Sequence, residues 1–286
     1  MNENLIDLHT HTCYSDGDLT PDELIKLAEK NNIKTLAITD HDTLLGIKNI
    51  TYTSKKITII KGIELSAKVS KGRMHILGYN IDANSNELNE KMNELRNNSL
   101  YSVLSLIIQI RNDYNIAFDY FDIKDLVNST RNLGRPEIAK LCVKYGYATD
   151  VQDAFDKYLI DSYEKIKRNN KGLSYKECIS LILKSGGIPI LAHPKTLKLD
   201  KNELTSLIKE MVDYGLKGIE VYHSSHTIED IHEYLDIANK FNLLISGGSD
   251  YHGPIVKPKI HLGKVANNKL FLTNFLLSNL SQFYND

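Results

Sequence analysis

Tryptophan is absent from the 286 residues, proline occurs six times and cysteine three times. Cys13, Cys142 and Cys178 are odd in number, far apart and free of any CxxC pairing, which favours a reducing compartment and no disulfide framework. No apolar run reaches the roughly 18 residues a membrane-spanning helix needs. The Met-Asn-Glu-Asn start has neither a basic region nor an apolar signal core. The expectation is a cytoplasmic chain that engages no membrane and shows no obligatory protein partner. An excess of one charge is missing as well: 35 Lys and Arg face 36 Asp and Glu. Without a global basic field, tight binding of long nucleic acid is not expected, which leaves a small phosphorylated nucleotide or a short oligoribonucleotide held locally.

What the chain has in quantity is apolar runs that end in metal-binding side chains. Ile6-Asp7-Leu8 leads into His9-Thr10-His11 and then Ser15-Asp16-Gly17. His9 and His11 leave the same face of a strand and can meet one ion, although such a pair is also compatible with half-buried strand histidines. Asp16 taken alone is a turn residue. The pattern then recurs. Leu36-Ala37-Ile38-Thr39 leads into Asp40-His41-Asp42, and the run at 57–60 into Gly62-Ile63-Glu64. Ile188-Pro189-Ile190-Leu191-Ala192 leads into His193, Gly218-Ile219-Glu220-Val221-Tyr222 into His223, and Leu243-Leu244-Ile245-Ser246 into Ser249-Asp250-Tyr251-His252. Chance does not place candidate ligands at so many strand ends.

Taken in order, Thr20-Pro21-Asp22-Glu23 reads as a capping box with proline at the first helical position. The strand carrying Glu64 at its end enters a hairpin, 65–70 against 73–79 across Lys71-Gly72. His75 sits on the returning arm, away from the strand ends, and local sequence reads it as an ordinary strand histidine. Between about 80 and 172 the period turns helical, with Leu88, Met92, Leu95, Val103, Leu106, Ile107 and Ile110 on one long helix or two in line. Shorter helices follow at 122–128, 136–145 and 151–159. Arg131 and Gly134-Arg135-Pro136 are the arginine-rich points, the latter at a helix start whose N–H groups could hold an anion; an exposed arginine is also simply a solvated charge. Residues 165–171 form a mildly basic connector. Helices at 174–184, 202–214 and 228–241 then separate strands at 188–192, 218–222 and 243–246. Some seven strands alternating with helices describe an α/β chain: a mostly parallel barrel from residues 1–79 and 173–286, with 80–172 inserted as a helical lobe.

Gathered at one rim, these side chains offer imidazoles and carboxylates without thiolates, a set suited to manganese, iron or zinc in a working site. Eight or nine donors fit two or three divalent ions, with Glu64 able to bridge. Three dications against Asp16, Glu64 and Asp250 leave a surplus of about three positive charges, which attracts phosphate. Metals about 3.5–4 Å apart activate a shared water as hydroxide and hold phosphoryl oxygens, so phosphoester hydrolysis is the reaction class, with amide hydrolysis as its chemical competitor.

These motifs closely resemble the PHP (polymerase and histidinol phosphatase) superfamily of phosphoesterases. The match is carried by Asp7-Leu8-His9-Thr10-His11, Ser15-Asp16-Gly17, Thr39-Asp40-His41-Asp42, Gly62-Ile63-Glu64, His75, Ala192-His193-Pro194 and Ser249-Asp250-Tyr251-His252, in family order. The resemblance implies a distorted (β/α)7 TIM-like barrel with a trinuclear site. His9, His11, Glu64 and Asp250 would hold one metal, Asp16, His41 and His252 a second, and Glu64, His75 and His193 a third, which makes His75 a ligand after all. Many relatives carry histidine where this chain has Asp16. The aspartate variant looks like the branch of stand-alone nucleoside 3′,5′-bisphosphate phosphatases and 5′-3′ exoribonucleases, whose helical lobe carries a Gly-Arg-Pro motif. That likeness makes Arg135 a phosphate clamp and His223 a substrate-phosphate contact or general acid. Asp40 and Asp42 are expected to orient the His41 ring. His226, His232 and His261, the last in a tail strand, are expected to be structural or solvent-facing. The alternatives are a histidinol-phosphate phosphatase and, in a different class, a catalytically silent metal-binding regulatory or polymerase-associated module.

Overall fold

The computed structural model describes residues 4–129, 131, 133–166 and 172–274. Two compact units divide the chain, one of Met1–Glu90 with Gly172–Asp286 and one of Lys91–Lys171.

The first unit is built on a seven-stranded sheet whose strands lie side by side in chain order. They are β1 (Leu5–Asp7), β2 (Ile33–Ile38), β3 (Thr58–Ala67), β4 (Met74–Tyr79), β5 (Ile188–Leu191), β6 (Gly218–His223) and β7 (Leu244–Gly248). Isoleucine and leucine dominate these runs, and the inward positions are closed to solvent, as in Ile6, Leu36, Ile38, Ile63, Leu65, Ile190 and Ile219. Four neighbouring pairs are parallel, whereas β3–β4 and β4–β5 are antiparallel. The exception follows from the short connection at 68–73: a parallel crossover needs a dozen residues or more, and this segment allows only a hairpin. The edges meet where Leu8 N–H donates to Gly247 O (3.2 Å), Asp250 N–H to His9 O (2.9 Å) and His11 N–H to Tyr251 O (2.9 Å), so the sheet is a nearly closed barrel. Ile6 N–H is taken by Leu272 O (3.0 Å), which extends the seam with the chain's last described segment.

Helices Pro21–Lys30, Tyr175–Lys184, Lys201–Asp213 and Ile228–Phe241 surround the sheet, each started by a side-chain cap at Thr20, Ser174, Asp200 and Thr227. Each such cap is worth about 1 kcal/mol and sets where its helix begins. Two expectations need correction. Glu64 lies inside β3, because ladder pairing with β4 carries the strand on to Ala67. His261 is in an irregular segment before the two-residue strand Lys264–Val265, because its neighbours bond within turns there.

The second unit is helical. One continuous helix, Asn86–Tyr114, enters it, followed by Tyr120–Val127, Arg135–Lys144, Val151–Ala154 and Ile160–Ile166. Its core is formed by Val103, Leu106, Ile107 and Ile110 from the long helix against Ile138, Cys142, Ala154 and Leu159. A π-helical turn, Phe155–Leu159, joins the last two helices. The expected connector at 165–171 falls largely outside the described residues.

Candidate metal centre

Every strand of the barrel either carries a candidate donor, as β3, β4 and β6 do, or runs on into one, as β1, β2, β5 and β7 do. His9 and His11 follow β1, and the bridge between Thr10 and Tyr251 extends the strand geometry so that both imidazoles face inward. His41 follows β2 and forms a bridge with Glu64 of β3. His75 comes from β4. His193 follows β5 at φ 23°, and Asp250 follows β7 at φ 58°. Both are positive backbone angles on residues with a Cβ, a strain of order 1–3 kcal/mol that tends to be kept where a side chain must be aimed.

Glu64, fully buried, is the hub. Its Oε2 lies 3.1 Å from His9 Nε2, 3.2 Å from His11 Nε2 and 3.1 Å from His41 Nδ1. Its Oε1 lies 2.9 Å from His75 Nδ1 and 2.8 Å from His193 Nε2. Asp250 Oδ1 stands 3.2 Å from His11 Nε2, 3.4 Å from His252 Nδ1 and 3.6 Å from His9 Nε2. Asp16 Oδ1 is 3.2 Å from His252 Nε2, and its Oδ2 is 4.0 Å from His41 Nε2. All nine expected ligands therefore converge in one continuous cluster. Within it, four groups have donor atoms close enough to share an ion: His11, Asp16, His41 and His252; His9, Glu64 and His193; His9, His223 and Asp250; and His41, Glu64 and His75.

The same cluster holds buried polar atoms without hydrogen-bond partners: His9 Nε2, His11 Nε2, His41 Nδ1, Glu64 Oε2 and His223 Nε2. Leaving one such atom unsatisfied costs about 1–3 kcal/mol. Five at one place are atoms that a bound cation would satisfy, and neutral imidazoles with ionised carboxylates are the donors that divalent ions take. The residues thus fit the metals that their types suggest.

Protonation shows the same frustration. Burial would depress His11, but the carboxylates of Asp250 and Glu64 outweigh it and lift the imidazole to about 9. His9 is likewise raised against burial by Glu220 and Glu64. Burial lowers His41 to about 3, with the neighbouring His11 and His75 adding to the effect against the pull of Glu64. Glu64 and Asp250 stay ionised against strong burial because imidazoles surround them. Metal binding to such donors displaces their protons, so a bound cation would shift these same groups.

His223, the last residue of β6, is buried; its Nε2 is 3.6 Å from Asp250 Oδ2, and its Nδ1 meets Ser225 Oγ at 2.8 Å. The barrel therefore brings His223 to the cluster. Arg135 belongs to the helical unit, where its guanidinium lies over the rings of Phe155 and Tyr163. The start of its helix is partly satisfied from within, since Gly134 N–H donates to the Glu137 carboxylate at 2.8 Å.

Sequence reasoning overlooked Glu220. Fully buried on β6, it accepts from His9 Nδ1 (2.9 Å) and from His193 N–H (2.7 Å), which turns His9 Nε2 toward Glu64. The signal was an acidic residue inside an otherwise apolar strand, where a charge survives only if paired. Lys257 was overlooked too, with Nζ 2.7 Å from Asp250 Oδ2. Asp40 does not orient His41: it accepts from Thr12 N–H, the Thr12 hydroxyl and the Ser15 hydroxyl, and so braces the loop that carries Asp16. Asp42 accepts from Ser66 N–H (2.8 Å). His226 is buried with Nδ1 on Val221 O (2.8 Å), a structural placement, and His232 is exposed.

With this geometry in place, comparison with known proteins identifies the lineage. The PHP domain matches residues 7–234. The chain belongs to the PHP domain family. The matched span stops short of Asp250 and His252, which the barrel seam returns to the other candidate ligands. Among relatives, a 3′,5′-nucleoside bisphosphate phosphatase of Chromobacterium violaceum is 28% identical over 251 residues, 87% of each chain. The 5′-3′ exoribonuclease Rnm of Escherichia coli is 28% identical over 279 residues, covering 91% of this chain and 88% of its own. Among solved structures, a candidate metal-dependent phosphoesterase from Bifidobacterium adolescentis superposes with a TM-score of 0.72 at 27% identity, over 92% of both chains. The barrel is thus that of PHP phosphoesterases.

Proposed function

We propose that this chain, a metal-dependent phosphoester hydrolase of the PHP family, removes phosphate from nucleoside 3′,5′-bisphosphates or cleaves at the 5′ end of short RNA. The observation that carries the reading is the Glu64 hub, where five imidazoles meet one buried carboxylate and leave orphaned donor atoms facing each other. His9, His11, Asp16, His41, Glu64, His75, His193, Asp250 and His252 would hold two or three divalent ions, manganese, iron or zinc. Such ions, when bound, activate water and neutralise phosphoryl oxygens. The chain's own part is positional. Glu220 fixes His9, Asp40 holds the loop of Asp16, and the strained backbone at His193 and Asp250 aims their side chains. His223 would contact a substrate phosphate or give a proton to the leaving oxygen, a role supported by its buried, unpartnered Nε2 at the cluster. In this reading Arg135 would supply a guanidinium fork suited to a second phosphate, and the helical insertion at 80–172 would select the substrate. Support for nucleotide substrates comes from Asp16 and from the two relatives named above, which share more than four-fifths of this chain's length.

The test is phosphate release with manganese from adenosine 3′,5′-bisphosphate, a short 5′-phosphorylated RNA and histidinol phosphate, with products weighed by mass spectrometry. Release from either nucleic substrate is expected, abolished by chelation and by Asp250→Ala. Release from histidinol phosphate alone would sink the nucleotide assignment. Full metal occupancy without turnover of any phosphoester would favour a silent metal-binding module.

A further inference from the structure

In the helical unit the Arg135 guanidinium carbon lies 5.6 Å from the centre of the Phe155 ring and 4.7 Å from that of Tyr163, within the roughly 6 Å reach of a cation–π contact. The two rings share a face because of the π-helical turn Phe155–Leu159. In a regular α-helix eight residues turn through about 800°, which leaves residue 163 about 80° away from 155. A turn that absorbs one extra residue removes about 100° of this and brings the two within about 20°. Such turns are rare and are often found at functional sites. Both rings rest half-buried on the core of the unit. The helix segment between them is pinned at Ser162, whose hydroxyl donates to Asp113 at 2.8 Å. Arg135 itself is exposed, and among the described residues no carboxylate pairs with it.

We propose that Phe155 and Tyr163 are positioning residues that hold the Arg135 guanidinium over their rings and keep its N–H fork available to a phosphoryl group of the substrate. The proposal rests on the reading of Arg135 as a phosphate contact. A fork held before binding loses less side-chain freedom when phosphate arrives, so the rings act on substrate affinity more than on turnover.

Tyr163→Leu removes the ring and keeps apolar bulk. Its KM for adenosine 3′,5′-bisphosphate is expected to rise roughly fivefold with kcat within about twofold of the wild type, the scale of one partly exposed cation–π contact. Tyr163→Phe restores the wild-type KM. In an Arg135→Ala background, Tyr163→Leu raises KM no further. Phe155→Leu repeats the test through the other ring, and a thermal unfolding curve shows whether each variant is folded. Unchanged KM in both ring variants, with a raised KM in Arg135→Ala, overturns the proposal and leaves the Arg135 reading in place. Wild-type KM in Arg135→Ala, or no turnover of the bisphosphate by the wild type, overturns both.

Discussion

Glu220 shows how much a single buried side chain can decide. Its carboxylate holds the Nδ1 proton of His9, and that bond directs the opposite nitrogen into the cluster. His9 and His223 keep Glu220 ionised at about 2 in spite of its burial. Glu220→Gln keeps the volume and removes the charge, so manganese affinity measured by calorimetry should fall about 10- to 100-fold, the usual effect of losing such an outer partner. Unaltered affinity would show that His9 needs no such support. His226 titrates in a different way. Burial, aided by His223, lowers it from the ordinary 6.5 to about 3, so the folded chain keeps it neutral where the unfolded chain protonates it. The associated stability is complete above pH 6.5 and is lost as pH falls from 6.5 toward 3, because the unfolded state then binds the extra proton. In denaturant titrations of metal-free protein, His226→Asn should therefore lose less stability than wild type between pH 7 and pH 4, by about 1–3 kcal/mol; an equal loss would place the titration elsewhere. At this scale the ligands were readable as histidines and carboxylates after apolar runs. Glu220 was not, because its role depends on β6 lying beside the segment that carries His193, a tertiary fact.

At the scale of elements, the barrel seam carries the site. A Cβ on Gly248 of β7 would stand 2.3 Å from the Cβ of His9 and 2.4 Å from its backbone nitrogen, so the two segments can approach only through glycine. Gly248→Ala should push β7 from the segment carrying His9. The expected result is a loss of about 1–3 kcal/mol in thermal unfolding together with weaker metal binding, since Asp250 moves with β7. A stable variant with normal metal affinity would show that the seam tolerates separation. Two helix starts were legible because Thr20 and Ser174 announce themselves by side chain and spacing. The end of β3 was not, because Glu64 looks terminal in sequence and only the ladder to β4 continues the strand. The π turn was invisible as well: residues 155–159 have an ordinary helical composition, and the extra residue shows only in the backbone.

For the whole molecule, the alternation of apolar runs and capped helices was enough to specify a seven-stranded α/β barrel, since each run had to be buried and each helix had to cover it. What the pattern could not supply was the hub, in which groups from residue 9 to residue 252 share one volume. That volume gathers a buried carboxylate, imidazoles and polar atoms without hydrogen-bond partners, which bound cations would satisfy. Metal should therefore stabilise the fold by mass action, by about 2.7 kcal/mol at a hundred times the dissociation constant. The most direct test is calorimetric titration of manganese into chelator-stripped wild type and Glu64→Gln, paired with thermal unfolding. The account predicts two or three ions in the wild type, a raised unfolding temperature, and the loss of at least one ion and of phosphate release in the variant. Equal stoichiometry and affinity in the two proteins would contradict it.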